Sequence, residues 1–137
     1  MTDCVFCKIA KKELPSNIVY EDSDTIAFLD RSPVNKGHTL VIPKKHSVNI
    51  LDIDDKELEK VMLTVKKVSI ALSKLWAGVN LEMNNNRVAG QIVDHFHIHV
   101  IPRFVEDGLK HWPGKKYEGD EDKKTADLIN KKVKEVN

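Results

Sequence analysis

The run His95-Phe96-His97-Ile98-His99-Val100-Ile101, followed by Pro102 and Arg103, constrains this chain more than any other segment. Alternation of polar and apolar residues marks an extended strand, whose side chains point to opposite faces in turn. The run therefore predicts a strand with Phe96, Ile98 and Val100 on a buried face and His95, His97 and His99 together on the other. A strand face that is only solvated has no need of repeated histidine. Imidazole titrates near neutrality and offers one nitrogen as nucleophile, base or ligand while a neighbour holds the other, so a row of three suits phosphoryl or metal chemistry.

The rest of the chain supplies a sheet and a cover for it. Ile18 to Glu21, Thr25 to Leu29 and Thr39 to Ile42 are short, rich in branched or aromatic residues, and bounded by the turn formers Asp22-Ser23-Asp24 and Asn35-Lys36-Gly37. They read as three neighbouring antiparallel strands. From Asp54 the period changes: Leu58, Val61, Met62, Val65, Val68, Leu72 and Leu75 recur at helical spacing, and Asp54 with Glu57 can form a capping box. One long amphipathic helix ending before Gly78 is expected. Leu81 to Asn84 and the histidine run add two strands, joined by a polar loop over Asn85 to Gly90. The sum is α+β, a mostly antiparallel sheet of about five strands under a long helix. From Gly114 the chain is dense in charge of both signs, a solvated face, yet Leu128, Ile129, Val133 and Val136 predict a terminal amphipathic helix. The division expected is a domain over 1–113 and a partly helical charged extension over 114–137.

At 137 residues the chain is long enough to fold as one domain without disulfides, and 22 Lys and Arg against 21 Asp and Glu argue against broad electrostatic binding to nucleic acid. No apolar stretch approaches a membrane span, and the N-terminus does not read as a signal peptide, so a cytoplasmic protein is expected. Its two cysteines, Cys4 and Cys7, would then be reduced thiols. Their two-residue spacing can hold one tetrahedral ion, with His46 and His95 completing a Cys₂His₂ set; two buried free thiols are the alternative, and redox chemistry lacks the strand-to-helix setting it needs.

The histidine run does not stand alone. With Leu29-Asp30-Arg31-Ser32-Pro33, the segment Gly37 to His46 (GHTLVIPKKH) and Ala89-Gly90-Gln91 in order, the chain resembles the histidine-triad (HIT) family over about residues 4 to 113. The resemblance implies a homodimeric nucleotide hydrolase or transferase that attacks an α-phosphate with histidine. On it, His97 is the nucleophile, the carbonyl of His95 fixes its tautomer, and His99 stabilises charge on the phosphate oxygens. Asp30, which from the residues alone reads as a turn aspartate, becomes the ligand of the ribose hydroxyls. Asn84, Gly90 and Gln91 fall near the phosphate or leaving group, and Phe6, Ile9, Leu14, Phe28 and Leu29 are candidates to enclose a purine such as that of AMP. Zinc, where the CxxC relatives carry it, is structural. The leaving-group proton is left open between His99, His38 and water. Two positions depart from the family pattern: Ile92 stands where the phosphoramidase branch has Ser or Thr, and Asn86 where relatives have glycine. His111-Trp112-Pro113-Gly114 resembles the Hint branch, whereas Ile101-Pro102-Arg103 resembles the bacterial and Fhit-like pattern, so phosphoramidates and dinucleoside polyphosphates both stand as substrates. A metal-dependent hydrolase using the HxHxH face, and a nucleotide-binding regulatory protein with little turnover, are the other readings.

Overall fold

Five strands, all paired antiparallel, make one sheet in this computed structural model, which describes residues 3–136. In chain order they are β1 (Ile18–Glu21), β2 (Thr25–Leu29), β3 (Thr39–Pro43), β4 (Gly78–Glu82) and β5 (Ile98–Arg103), arranged β1-β2-β3-β5-β4. The helices are α1 (Val5–Ala10), α2 (Asp55–Ser73) and α3 (Glu121–Lys134). The first two strands fall at the residues their patterning predicts, because turn formers bracket both. The fourth begins three residues earlier than predicted, with Gly78 opposite Arg103 and Glu82 opposite His99. Asn84 thus lies outside the sheet, in the loop that follows.

The two faces of the sheet carry separate apolar layers. Period-two alternation sends Ala27, Val41, Phe96, Ile98 and Val100 to one face, where they pack with Val61, Val65, Val68 and Leu72 of α2. The other face buries Ile26, Phe28, Leu40 and Ile42 against Phe6 and Ile9 of α1. Each side chain of this size contributes roughly 1.5–3 kcal/mol when fully buried. Helix α1 went unpredicted: six residues show little periodicity, although Cys4 accepts the Cys7 N–H as an N-cap and Phe6 and Ile9 stand at helical spacing.

Helix α2 corrects the sequence reading at both ends. Asp54 is its N-cap residue but makes no capping bond; its carboxylate lies 2.6 Å from Lys45 Nζ and Glu57 turns to Lys60, so no capping box forms. Asp55 and Glu57 still place negative charge at the positive end of the helix dipole. At the other end the last turn tightens into i→i+3 bonds, Lys74 N–H to Ala71 O and Leu75 N–H to Leu72 O, which stops the helix at Ser73 and leaves Leu75 exposed.

The histidine run is strand only from Ile98. Pairing with β3 ends at Val41 opposite Ile98, and upstream the Phe96 N–H bonds instead to Ser47 O at 2.8 Å. Alternation nevertheless persists, since Phe96, Ile98 and Val100 all lie in the α2 layer. The chain divides into two compact units between Asp107 and Gly108. The second unit contains α3, with Leu128, Ile129 and Val133 exposed, acidic residues in its first turn and lysines in its last. Among the described residues no helix is long and apolar enough to cross a membrane.

Candidate active site and metal-ligand cluster

His97 is placed by the last residues of loop before β5, and its ring is held by the chain itself. Nδ1 lies 2.7 Å from the His95 carbonyl oxygen. A carbonyl only accepts, so Nδ1 carries the hydrogen and Nε2 presents its lone pair. Burial pushes the His97 pKa below its ordinary value, with the carbonyl bond acting against it and the neighbouring His99 adding to it. The ring is therefore neutral near pH 7, as a nucleophilic nitrogen must be. Phe6 of α1 packs against it in a T-shaped contact, 5.2 Å between centroids.

Beside it, His99 on β5 meets His38, the residue before β3. His38 Nε2 and His99 Nδ1 are 2.9 Å apart, and the Val34 N–H donates to His38 Nδ1 at 3.0 Å. Both rings have lowered pKa values, chiefly from burial; Asp30 and Glu82 oppose the shift at His38. Asp30 follows β2, receives the Ser32 N–H on Oδ1 and holds Oδ2 3.6 Å from His38 Nε2. The turn role and a free carboxylate oxygen thus coexist in one residue.

The loop between β4 and the histidines is built from amides. Gln91 is 2 % exposed, and its side chain is saturated: Oε1 accepts from Asn49 Nδ2 and the Asn86 N–H, while Nε2 donates to the carbonyls of Val48 and Val93. A direct substrate contact, as the sequence suggested, would break one of these bonds. These four bonds hold the loop in shape. Asn49, which the sequence did not single out, ties this loop to the one after His46 through Gln91 and Asn86 Oδ1. Nothing short of the fold brings residues 42 positions apart together, so no sequence signal marked it. Gly90 has φ +97°, a backbone conformation glycine adopts without strain, and its Cα faces the Asn84 amide. Asn84, with its amide nitrogen turned toward Glu82 Oε1 (3.0 Å) and Ala89 O (3.3 Å), lines the same loop.

Of the apolar candidates, Phe28 is 3 % exposed and Ile9 is buried beside it, so both form the floor of the α1 layer, whereas Phe6 bridges that floor to the histidines. Leu14, in the turn after α1, is 37 % exposed and Leu29 ends β2 half-buried.

A second cluster lies on the other side of His95. Cys4 Sγ, Cys7 Sγ and His46 Nδ1 stand 3.3, 3.5 and 3.3 Å from His95 Nδ1, and Cys7 Sγ is 3.3 Å from His46 Nδ1. The four ligand atoms lie within 4.8 Å of one another. A tetrahedral zinc with nitrogen and sulfur ligands has edges from about 3.3 Å between two nitrogens to about 3.8 Å between two sulfurs, so the donor set fits that ion. His95 Nε2 lies 2.8 Å from the Pro43 carbonyl, which puts the proton there and frees Nδ1 for the cluster. Burial drives the His95 pKa down to about 4 and raises that of the Cys7 thiol. The His95 side chain is thus turned away from His97 and His99, and the HxHxH face does not converge on one ion.

The HIT domain profile matches residues 11–106. The chain is 38% identical over 133 residues to the adenosine 5′-monophosphoramidase of Schizosaccharomyces pombe, covering 96% of this chain and 98% of that protein. Its structure is similar to the crystal structure of a Streptococcus mutans protein, with a TM-score of 0.91 and 39% identity over 97% of this chain and 87% of the other. It is also similar to a Zn-bound histidine triad family protein from Mycobacterium smegmatis, with a TM-score of 0.77 and 32% identity over 84% and 85% of the two chains.

Proposed function

The chain belongs to the HIT family, and on that premise we propose that it is a nucleotide hydrolase or transferase that cleaves a nucleoside phosphoramidate, purine favoured, at the α-phosphate through a nucleotidyl-His97 intermediate. The observation that carries the proposal is the 2.7 Å bond from His97 Nδ1 to the His95 carbonyl, which leaves Nε2 as an unprotonated, buried nucleophile. In the first step the Nε2 lone pair forms a bond to phosphorus while the bond to the leaving nitrogen breaks and its electron pair departs with that group. Water then attacks the same phosphorus, the P–Nε2 bond breaks, and nucleoside monophosphate leaves with His97 restored. Splitting one displacement in two lowers each barrier. His99 stabilises charge on the non-bridging oxygens. Asp30 accepts from the ribose hydroxyls, Phe6 with Leu14 encloses the base over the Phe28 and Ile9 floor, and Asn84 and Gly90 border the phosphate in a loop held by Gln91. The phosphoramidate leads because relatives of this length and identity, in S. pombe and in Candida albicans (40%), carry the name adenosine 5′-monophosphoramidase. Dinucleoside polyphosphates are the second substrate, favoured by Ile92 standing where a leaving-group hydroxyl would be.

Cys4, Cys7, His46 and His95 are the residues that would hold zinc. Four protein ligands leave no position for an activated water, so a bound ion supplies rigidity, not chemistry. We place the protein in the cytoplasm, where two thiols at this spacing stay reduced. A homodimer is supported by the open edge of β4, with Leu81 exposed, and by the outward Leu63 and Ile70 of α2.

The test is AMP release from adenosine 5′-phosphoramidate and from diadenosine tetraphosphate, by the native protein and by His97→Ala. Turnover that disappears in the variant is expected. Tight AMP binding with no turnover of either substrate would instead make this a nucleotide-binding protein.

A further inference from the structure

His38 is 3 % exposed and faces His99 where β3 pairs with β5, Leu40 standing opposite His99 in the register. Its two ring nitrogens meet unlike partners. The Val34 N–H lies 3.0 Å from Nδ1, and a backbone amide only donates, so Nδ1 must offer a lone pair. A neutral His38 then carries its proton on Nε2. That proton has one short acceptor, His99 Nδ1 at 2.9 Å; the Asp30 carboxylate is farther, at 3.6 Å. His99 Nδ1 therefore accepts, and the single proton of a neutral His99 sits on Nε2. We infer that His38 is a positioning residue that locks His99 in the Nε2–H tautomer, so that His99 is a fixed neutral donor to the phosphate and not a general acid.

The alternatives fail on geometry. A second proton on His99 Nδ1 would set two N–H groups head to head at 2.9 Å unless His38 turned over and gave up the Val34 bond. Asp30, His38 and His99 offer donor atoms within 4.8 Å of one another and resemble a metal set, yet the two nitrogens approach more closely than the edge of about 3.3 Å that two imidazoles make around zinc. The separation is that of a hydrogen bond. The chain of donors runs one way: Val34 N–H to His38, His38 N–H to His99, His99 N–H toward the reacting phosphate.

A consequence follows for the leaving group. If His99 surrendered its Nε2 proton it would be left as imidazolate, since His38 has no second proton to pass on while Val34 occupies its Nδ1. The proton that departs with the leaving group therefore comes from water or from the substrate's own nitrogen. His99 contributes by holding its hydrogen in place as charge develops on oxygen, which costs no reorganisation during reaction.

The experiment records the ¹⁵N shifts of the His99 ring in the ligand-free protein near pH 7, together with steady-state kinetics, for the native chain, His38→Phe and His38→Gln. The native protein should show a protonated Nε2 and an unprotonated Nδ1. Phenylalanine fills the space of the imidazole but donates nothing; it should release the tautomer into a mixture and lower kcat about tenfold to a hundredfold, with KM changed by less than about threefold. Glutamine places an amide N–H near the lost Nε2–H and should restore the native tautomer and most of kcat. A native His99 protonated on Nδ1 or on both nitrogens overturns the inference, as does a folded His38→Phe with the native tautomer. The kinetic arm rests on the His97 chemistry proposed above. If the native protein releases no AMP, that chemistry fails, and the tautomer in the ligand-free protein still decides the role of His38.

Discussion

Gly37 is the position where one added carbon should do most damage. It has φ +92°, and a Cβ built there would lie 2.8 Å from Cη2 and Cζ3 of Trp76 and 3.1 Å from Cγ of Pro102. Two separate costs follow for Gly37→Ala. Holding an L-residue in the left-handed region costs roughly 1–2 kcal/mol. Displacing a ring that is packed against the α2 layer and beside Phe104 adds roughly 1–3 kcal/mol. A total of about 3 kcal/mol is a large share of the roughly 5–15 kcal/mol that holds a domain together, and it should lower Tm by about 10 °C. Urea denaturation of Gly37→Ala, Trp76→Leu and the double variant separates the two costs: with the ring removed the steric part vanishes and the backbone part remains, so the pair should couple by about 1–2 kcal/mol. Gly78→Ala, where nothing lies within 4 Å of the added carbon, is the control and should be close to neutral. A loss below about 0.5 kcal/mol for Gly37→Ala would show that neither the backbone strain nor the clash with Trp76 is present, and strict additivity with Trp76→Leu would show that the clash is absent. Because Gly37 directly precedes His38, the same variant should also lose turnover.

In the metal-free protein, acid should destabilise through the histidines. His38, His95, His97 and His99 are all held below their ordinary values, so the unfolded chain takes up protons first as pH falls. The stability is complete above about pH 6.5 and is lost progressively toward pH 4, where His95, shifted from 6.5 to about 4, accounts for about 3 kcal/mol by itself. Urea midpoints measured across that window should fall steadily, and a flat profile would sink the idea. One zinc per chain, counted by native mass spectrometry, should raise Tm, with a free concentration about a hundredfold above Kd adding about 2.7 kcal/mol; Cys7→Ser should abolish the rise, and an equal rise in that variant would place the ion elsewhere. Asn86, at φ +75° and ψ 155°, trades backbone strain for the bond to Asn49. Asn86→Gly should therefore change stability by less than about 1 kcal/mol, whereas Asn86→Ala, which keeps the strain and loses the bond, should cost about 1–2 kcal/mol in thermal unfolding.

What could be read in the sequence is what short-range chemistry determines. The strands Ile18–Glu21 and Thr25–Leu29 end where Asp22-Ser23-Asp24 and Asp30 force turns, and the alternation of Phe96, Ile98 and Val100 defines one buried face wherever hydrogen-bonded pairing begins. His97, its neighbours and the CxxC stand out in the sequence because histidine and cysteine recur there at fixed short spacings. What stays hidden in the sequence has a different origin. Asp54 has the side chain of an N-cap, but Lys45 competes for its carboxylate, and that competition depends on how the chain from β3 reaches α2. The Gln91 amide donates to the carbonyls of Val48 and Val93, and only the folded loops bring those acceptors to it. His38 and His99 stand 61 positions apart, and only the register of β3 on β5 brings their rings to 2.9 Å.

A covalent bond between His97 Nε2 and phosphorus can be caught by rapid acid-free quenching of the protein with adenosine 5′-phosphoramidate followed by peptide mass spectrometry. A transient adduct is expected on the peptide bearing His97, heavier by one AMP less one water, that forms and decays at rates compatible with kcat and is missing in His97→Ala. Full turnover with no adduct at any time, or an adduct on His99 instead, would exclude His97 as the nucleophile.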